Sequence, residues 1–418
     1  MQEGELMKID AKVSNIKYEK FMFYFILIDL LFLPYIRILS IKASMLAVIV
    51  WYLRGGTKKA FNKNSFHLFL LFIMLSIISL VLGLLYAPRG YSAISFLMSN
   101  VQIVVITWFS FLFFYYFRYQ FFQNRFSINK TLMAYLFFAL FFAILFWVNP
   151  QLYFDIRQFW TLGNEKTVFI HHTINRFTHI VSEPNNFSVV VIGIMAYFRF
   201  VEKLESSKML IVYIVTFFLV ITTMSTTGML LFVLYFFAPV SFKKVYKIKL
   251  KNVIMWFAFT IGLLLFIIIF HDRFGLFFDS TVVSSAIFRY EGYLETENYS
   301  GSRFDIWVRL LQEVNIFKYI LIGRGTTILA NGRLYKPHSG HFYLIYGYGM
   351  IAYSIFMYEF FRFRKSMFRS EYFAIVIPFL VIFTMNTLIG DLRSTFLYVI
   401  LLAYIVDKKN RRNMEVSK

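Results

Sequence analysis

Apolar runs long enough to cross a lipid bilayer recur along the whole chain, separated by short segments that carry Lys and Arg. The clearest are Phe66 to Tyr86, Ile94 to Phe117, Thr131 to Val148 and Val253 to Phe270. A helix rises about 1.5 Å per residue, so roughly 20 apolar residues cover the ~30 Å of hydrocarbon. Further runs fall at Phe21 to Ile36, Ala43 to Leu53, Phe187 to Phe198, Met209 to Thr222, Gly228 to Pro239, Phe342 to Phe361, Tyr372 to Ile389 and Thr395 to Val406. Several of these are short, which predicts tilt or partial burial in a bundle. The expected fold is all-α: one polytopic membrane domain over residues 1–418 with about 12 transmembrane helices.

Composition agrees. Hydrophobic residues make up 59% and aromatic residues 21% of the chain, gathered into runs instead of dispersed as a soluble core requires. The formal net charge of +21 suggests nucleic acid at first sight, but the cations form short clusters between apolar runs and no basic motif. No nucleic-acid partner is expected. The chain has no Cys, which excludes disulfides, thiolate metal sites and cysteine nucleophiles. The run from Phe21 carries Asp29, Pro34 and Arg37 with no small-residue cleavage site behind it, and reads as a retained first span.

Cytoplasmic loops of membrane proteins are enriched in Lys and Arg. Alternate loops here carry them: Lys8, Lys12, Lys17 and Lys20; Arg54, Lys58, Lys59 and Lys63; Arg118, Arg125 and Lys130; Arg199, Lys203 and Lys208; the five Lys between Lys243 and Lys251; Arg362 to Arg369; and the C-terminal cluster from Lys408. Both termini are therefore expected in the cytoplasm.

Two outward loops are much longer than the rest, about Asn149 to Asn186 and His271 to Gly340, and they hold five of the seven His, with His341 just past the end of the second. Long loops are where binding and catalysis concentrate. In the second, Ser302 to Lys318 places Trp307, Leu310, Leu311, Val314 and Phe317 on one stripe, with Ser302 and Asp305 as a capping box. That pattern predicts an amphipathic helix that lies along the outer membrane interface or packs over the bundle. There is no phosphate-binding lysine loop, dinucleotide turn, His-Glu-x-x-His or nucleophile elbow. Adjacent His171 and His172, even with His179 nearby, lack a suitably spaced carboxylate, so no metal and no cofactor are expected. Asp29, inside a span, is expected in the bundle interior, either as an acid or as a structural hydrogen-bonding group near Pro34.

Three segments then carry a family likeness. The first is Arg176-Phe177 followed by Ser182-Glu183-Pro184-Asn185-Asn186-Phe187. The second is Ser300-Gly301-Ser302-Arg303 with Trp307, then Gly323-Arg324-Gly325. The third is His338-Ser339, nine residues, then Gly349 at the head of a span. In this order they resemble the bacterial O-antigen ligase and Wzy-type polysaccharide polymerase superfamily over about Arg176 to Met350. The chain departs from the family pattern at Ala352, where Gly, Thr or Tyr is usual, and at Thr226, where a Ser-Arg pair usually supplies an Arg.

The resemblance implies a GT-C-like membrane glycosyltransferase that moves a glycan from undecaprenyl diphosphate to a hydroxyl on a lipid-linked repeat unit. The alternative is ligation to lipid A core. It implies the bacterial cytoplasmic (inner) membrane, with undecaprenyl-diphosphate-linked oligosaccharides, membrane lipids, a chain-length regulator and a flippase as partners. Arg176, Arg303 and Arg324 are the expected diphosphate contacts, because guanidinium binds phosphate oxygens in a fork and stays charged. His338 is the expected base or acceptor-positioning group, with His341 its rival on the same helical face and Glu183 a further substrate-binding candidate. A transporter or lipid-linked sugar flippase is the competing class; it predicts related halves and short outer loops, and the sequence displays neither.

Overall fold

The structure is a computed structural model. It describes residues 2–33, 41–85, 93–123, 126–160, 170–171, 174–175, 177–179, 184–223, 225–237, 321–323, 328–330, 333–335, 339–361, 370–385 and 392–416. The expected span at Val253 to Phe270 and the expected amphipathic helix at Ser302 to Lys318 lie outside these residues.

The described helices are α1 (Gln2–Phe32), α2 (Ala43–Trp51), α3 (Thr57–Ala60), α4 (Lys63–Leu85), α5 (Ala93–Gln123), α6 (Asn129–Val148), α7 (Pro150–Trp160), α8 (Pro184–Ala196), α9 (Ser206–Thr223), α10 (Thr226–Phe237), α11 (Gly340–Phe361), α12 (Ser370–Met385) and α13 (Leu392–Val416). Single wide turns, Tyr52–Gly56 and Tyr197–Glu202, extend α2 and α8. Two small antiparallel hairpins, β1 (Ile170–His171) with β2 (Ile174–Asn175) and β3 (Ile328–Ala330) with β4 (Arg333–Tyr335), stand in the two long loops.

Among the described residues, five helical stretches are long and apolar enough to cross a membrane: Lys63–Leu85, Asn100–Gln123, Asn129–Val148, Pro184–Glu202 and Ser206–Thr223. Their exteriors identify the solvent. Leu70, Met74, Ile77 and Val81 form an exposed stripe on α4, as do Phe137, Phe141, Ile144 and Val148 on α6, and Leu210, Ile214, Phe217 and Ile221 on α9. Spacings of three and four residues put each set on one helix face. Apolar stripes turned outward on three helices are what a lipid-facing surface requires and what water disfavours. The chain is an α-helical membrane protein.

The centre of the bundle is aromatic. α5 packs along α13 through Phe113 against Phe396 and Phe121 against Tyr404, with ring centroids 4.8 and 5.0 Å apart. On its other side Phe111 meets Phe72, Phe356 and Phe360 at 4.9–5.6 Å. Lipid tails are as apolar as these rings, so close fit and hydrogen bonds, more than water exclusion, select this helix arrangement. Tyr398 illustrates both: its hydroxyl donates to the Val189 carbonyl at 2.7 Å, and its ring lies so near Gly193 that any side chain there would displace it.

One end of the bundle is closed by carboxylates. Glu19 accepts from Trp51 Nε1 at 3.1 Å and from Gln120 Nε2, joining α1, α2 and α5. Glu202 accepts from Asn129 Nδ2 and from the Tyr404 hydroxyl, each at 2.9 Å, joining α6, α8 and α13. Lys63, Lys130, Arg199, Lys203 and Lys208 flank the helix ends that meet here, so the fold gathers these Lys and Arg at one end, as the alternation of loops requires.

Two expected spans take a different form. The run at Ala43 to Leu53 yields α2, whose nine residues cover only about 14 Å, half the hydrocarbon. The run at Phe342 to Phe361 is broken: Gly349 has φ +88° and ψ 166°, far from helical values. Leu321, Ile322 and Gly323 press into the break. A Cβ on Gly323 would strike the Gly347 backbone, and one on Gly349 would strike the Leu321 carbonyl. The Gly347 carbonyl, displaced from the helix ladder, accepts the Ser79 hydroxyl from α4. Gly349→Ala is expected to cost ~1–3 kcal/mol from backbone strain alone, and more from the collision. Melting of the detergent-solubilised protein should shift to clearly lower temperature, and an unchanged melt would contradict this account of the break.

Candidate functional site

The opposite end holds buried cations, and their placement follows from α1 ending early. Phe32 packs against Tyr135 and Phe138, about ten residues or ~15 Å before α6 ends at Val148. The last carbonyls of α1 therefore lie inside the bundle with no next turn to bond. Lys42 reaches back to the Asp29 carbonyl and to the Leu33 carbonyl at 2.6 Å, and Arg393 Nη2 donates to Leu33 at 3.2 Å. Cations at a helix C-terminus also meet the negative end of its dipole. Asp29 completes the joint: its carboxylate accepts the Ser44 backbone N–H at 2.9 Å, placing negative charge at the start of α2. Asp29, Lys42 and Arg393 are each about 2–3% exposed. Asp29 is a structural hydrogen-bonding group.

A third cation arrives from the first long loop. Asn149 caps α7 by accepting the Leu152 N–H at 3.0 Å, and Pro150 occupies the first helical position, where no donor is needed. The helix puts Tyr153 and Arg157, four residues apart, on its buried face. Arg157 Nε donates to the His179 carbonyl at 2.6 Å.

His179 is the centre of this arrangement. Its ring is enclosed by Tyr135, Phe138, Phe142, Phe177 and Phe187, with centroids 5.1–6.3 Å away, and is 0% exposed. Its backbone is left-handed, φ +55°, a conformation rare outside glycine. Neither ring nitrogen has a hydrogen-bond partner among the described residues. Burial pushes its pKa well below the usual imidazole range, and the positive charges of Arg393 and then Arg157 push it further the same way. The imidazole is therefore neutral at neutral pH.

Of the residues singled out from sequence, Arg176, Glu183, Arg303, Arg324 and His338 lie outside the described residues. Their neighbours are placed: Phe177 and Pro184 are buried beside His179 and at the start of α8, Gly323 lies in the α11 break, and Ser339 is buried just before α11. His341 is described. Its Nδ1 lies 3.0 Å from the Tyr353 hydroxyl and its Nε2 3.2 Å from Thr384 Oγ1. Both nitrogens are thus engaged within the bundle, and a bond to a residue 12 positions along the same helix is possible only because α11 bends at Gly349. The site residues that sequence reasoning passed over are Lys42, Arg157 and Arg393, while His179 was weighed only as a metal ligand. The available signal was their location: cations beside apolar runs, away from the cytoplasmic clusters, are costly unless they have a task.

Comparison with family models, with curated proteins and with solved structures gives no match to this chain.

The depressed pKa of His179 has a thermodynamic sign. The unfolded chain binds a proton near pH 6.5 while the folded site resists it, so the folded state is favoured fully above that pH and loses stability as pH falls below it. Wild-type protein should melt at progressively lower temperature from pH 7 to pH 5, and His179→Phe, which keeps an aromatic ring, should lose much of that dependence. Identical pH profiles for the two would sink the assignment.

Proposed function

We propose that the chain is a polysaccharide polymerase of O-antigen or capsule type, a GT-C-like enzyme of about 12 spans in the bacterial cytoplasmic membrane. In this reading both termini are cytoplasmic and the two long loops face outward. The observation that carries it is the set of buried cations, Lys42, Arg157 and Arg393, at the end of the bundle where both long loops join it. α6 ends and α8 begins there, and His341 at the start of α11 bonds to Thr384 at the end of α12. A lipid-linked diphosphate leaving group needs fixed positive charge at that depth, and the three ordered sequence segments fall in the same loops.

In the reaction, a sugar hydroxyl of the incoming repeat unit attacks the anomeric carbon of the growing glycan. The new glycosidic bond forms as the bond to the diphosphate oxygen breaks, and the hydroxyl proton passes to His338. Arg176, Arg303 and Arg324 balance the charge that builds on the departing diphosphate. Ligation to lipid A core uses the same chemistry with another acceptor.

Purified protein in lipid, given undecaprenyl-diphosphate-linked repeat units, should build a ladder of polymer lengths. A product only with lipid A core present would mark a ligase, and translocation without bond formation would mark a flippase. His338→Ala should lower turnover by about 10²–10⁴ while leaving insertion intact, the range typical for a positioned base. Undiminished turnover would remove His338 from the mechanism.

A further inference from the structure

The end of the bundle that gathers Lys and Arg also carries a groove. Lys17, Lys20, Phe21, Tyr24, Phe25 and Ile28 line a shallow hollow of about 510 Å³ along α1. Spacings of three and four residues put all six on one face of the helix. The groove is charged at one end only. From Lys17 to Ile28 the helix rises ~16 Å, close to half of the ~30 Å of hydrocarbon, so the groove is about one leaflet deep.

Its walls are set by the fold. The Phe21 and Phe25 rings stack with centroids 6.2 Å apart, and the Tyr24 hydroxyl donates to the Ser127 carbonyl at 3.2 Å, just before α6. Phe21 is 67% and Ile28 45% exposed, which leaves the apolar part open to lipid. Lys17 and Lys20 are exposed, one helical turn apart, and neither has an ion-pair or hydrogen-bond partner among the described residues. The carboxylate beside them does not neutralise them, because Glu19 is turned into the core, where Trp51 and Gln120 hold it. On α9, by contrast, the cation near the head of the lipid-facing stripe is already paired, Lys208 with Glu205 at 2.9 Å.

We propose that this groove is a binding site for an anionic glycerophospholipid of the leaflet that meets this end of the bundle, the cytoplasmic leaflet in the orientation given above. The two ammonium groups take the headgroup phosphate, and an acyl chain lies along Phe21, Phe25 and Ile28. Charge complementarity selects this occupant: two free cations above an apolar channel match a negative headgroup on an apolar tail. A zwitterionic lipid brings its own cation and gains less. The groove lies at the opposite end of the bundle from the long loops, so it is independent of the polymerase reading.

Native mass spectrometry of the full-length protein in detergent, mixed with phosphatidylglycerol or phosphatidylcholine, tests this. A Lys near an anionic headgroup contributes roughly a fivefold preference, so wild type should retain phosphatidylglycerol over phosphatidylcholine by about tenfold or more, less as salt is raised. Lys17→Gln with Lys20→Gln should remove most of that preference. Phe21→Ala, at an exposed position, should lower retention severalfold with both charges intact. Lys58→Gln with Lys63→Gln, which removes the same charge from exposed lysines at the same end, should leave retention unchanged. Equal retention of the two lipids by wild type, equal losses in the two lysine pairs, or no loss in either groove variant would overturn the site. So would a wild-type dimer that Phe21→Ala dissociates, because a second copy would then be the occupant.

Discussion

A helix that stops inside hydrocarbon must have its terminal N–H and carbonyl groups satisfied by protein, because no water is there to do it. The joint between α1 and α2 solves this problem, and much of the far end of the bundle depends on it. Lys42 and Arg393 take the last carbonyls of α1, while the Asp29 carboxylate takes the Ser44 N–H in the first turn of α2. Each charge also opposes the dipole end it meets. Removing Lys42 would take a donor from the Asp29 and Leu33 carbonyls, and removing Asp29 would take the acceptor from the Ser44 N–H at the start of α2. Arg393 begins α13, the helix that packs along α5, so the same joint ties the first hairpin to the last helix.

That joint also explains how charge can be stored next to His179. Arg393 is held by Leu33 and Arg157 by the His179 carbonyl, so neither can swing away when its charge acts on the imidazole. The aromatic rings around His179 lower the local dielectric and strengthen that action. A neutral imidazole with guanidinium charge acting on it is a consequence of packing.

The helical membrane character was legible in the sequence because it depends on local hydropathy: the runs at Phe66, Thr131 and Met209 became α4, α6 and α9. The gathering of Lys63, Lys130 and Lys208 at one end was legible for a similar reason, since short loops leave their charges little choice of side. The interruptions were not. Nothing in Ala43 to Leu53 announces that its helix begins at half depth, because the cause is Asp29 and Lys42 acting across a gap of 15 and 9 residues. The break at Gly349 depends on Leu321 and Gly323 approaching from another segment. Arg157 stands in the first long loop, and its burial follows only from α7 packing with Tyr153 inward. The motif residues Arg176, Glu183, Arg303, Arg324 and His338 were chosen by resemblance, and the described chain reaches only their neighbours.

Broken helices bear on the choice between transfer and transport, because transporters use half-helix ends to hold substrate at mid-membrane. In such sites the dipole ends face a cavity and await an ion. Here the ends at the α1–α2 joint already meet protein groups: carboxylate on the positive end, ammonium and guanidinium on the negative end. At the other break the Gly347 carbonyl meets the Ser79 hydroxyl, and the gap is filled by the Leu321–Gly323 backbone. These interruptions are closed joints that position neighbouring side chains. Among the described residues, the buried polar atoms without a partner at this end include the two ring nitrogens of His179 and the Ser44 hydroxyl. On the proposed transferase reading, closed joints are no obstacle, since the helices of a transferase need not exchange places.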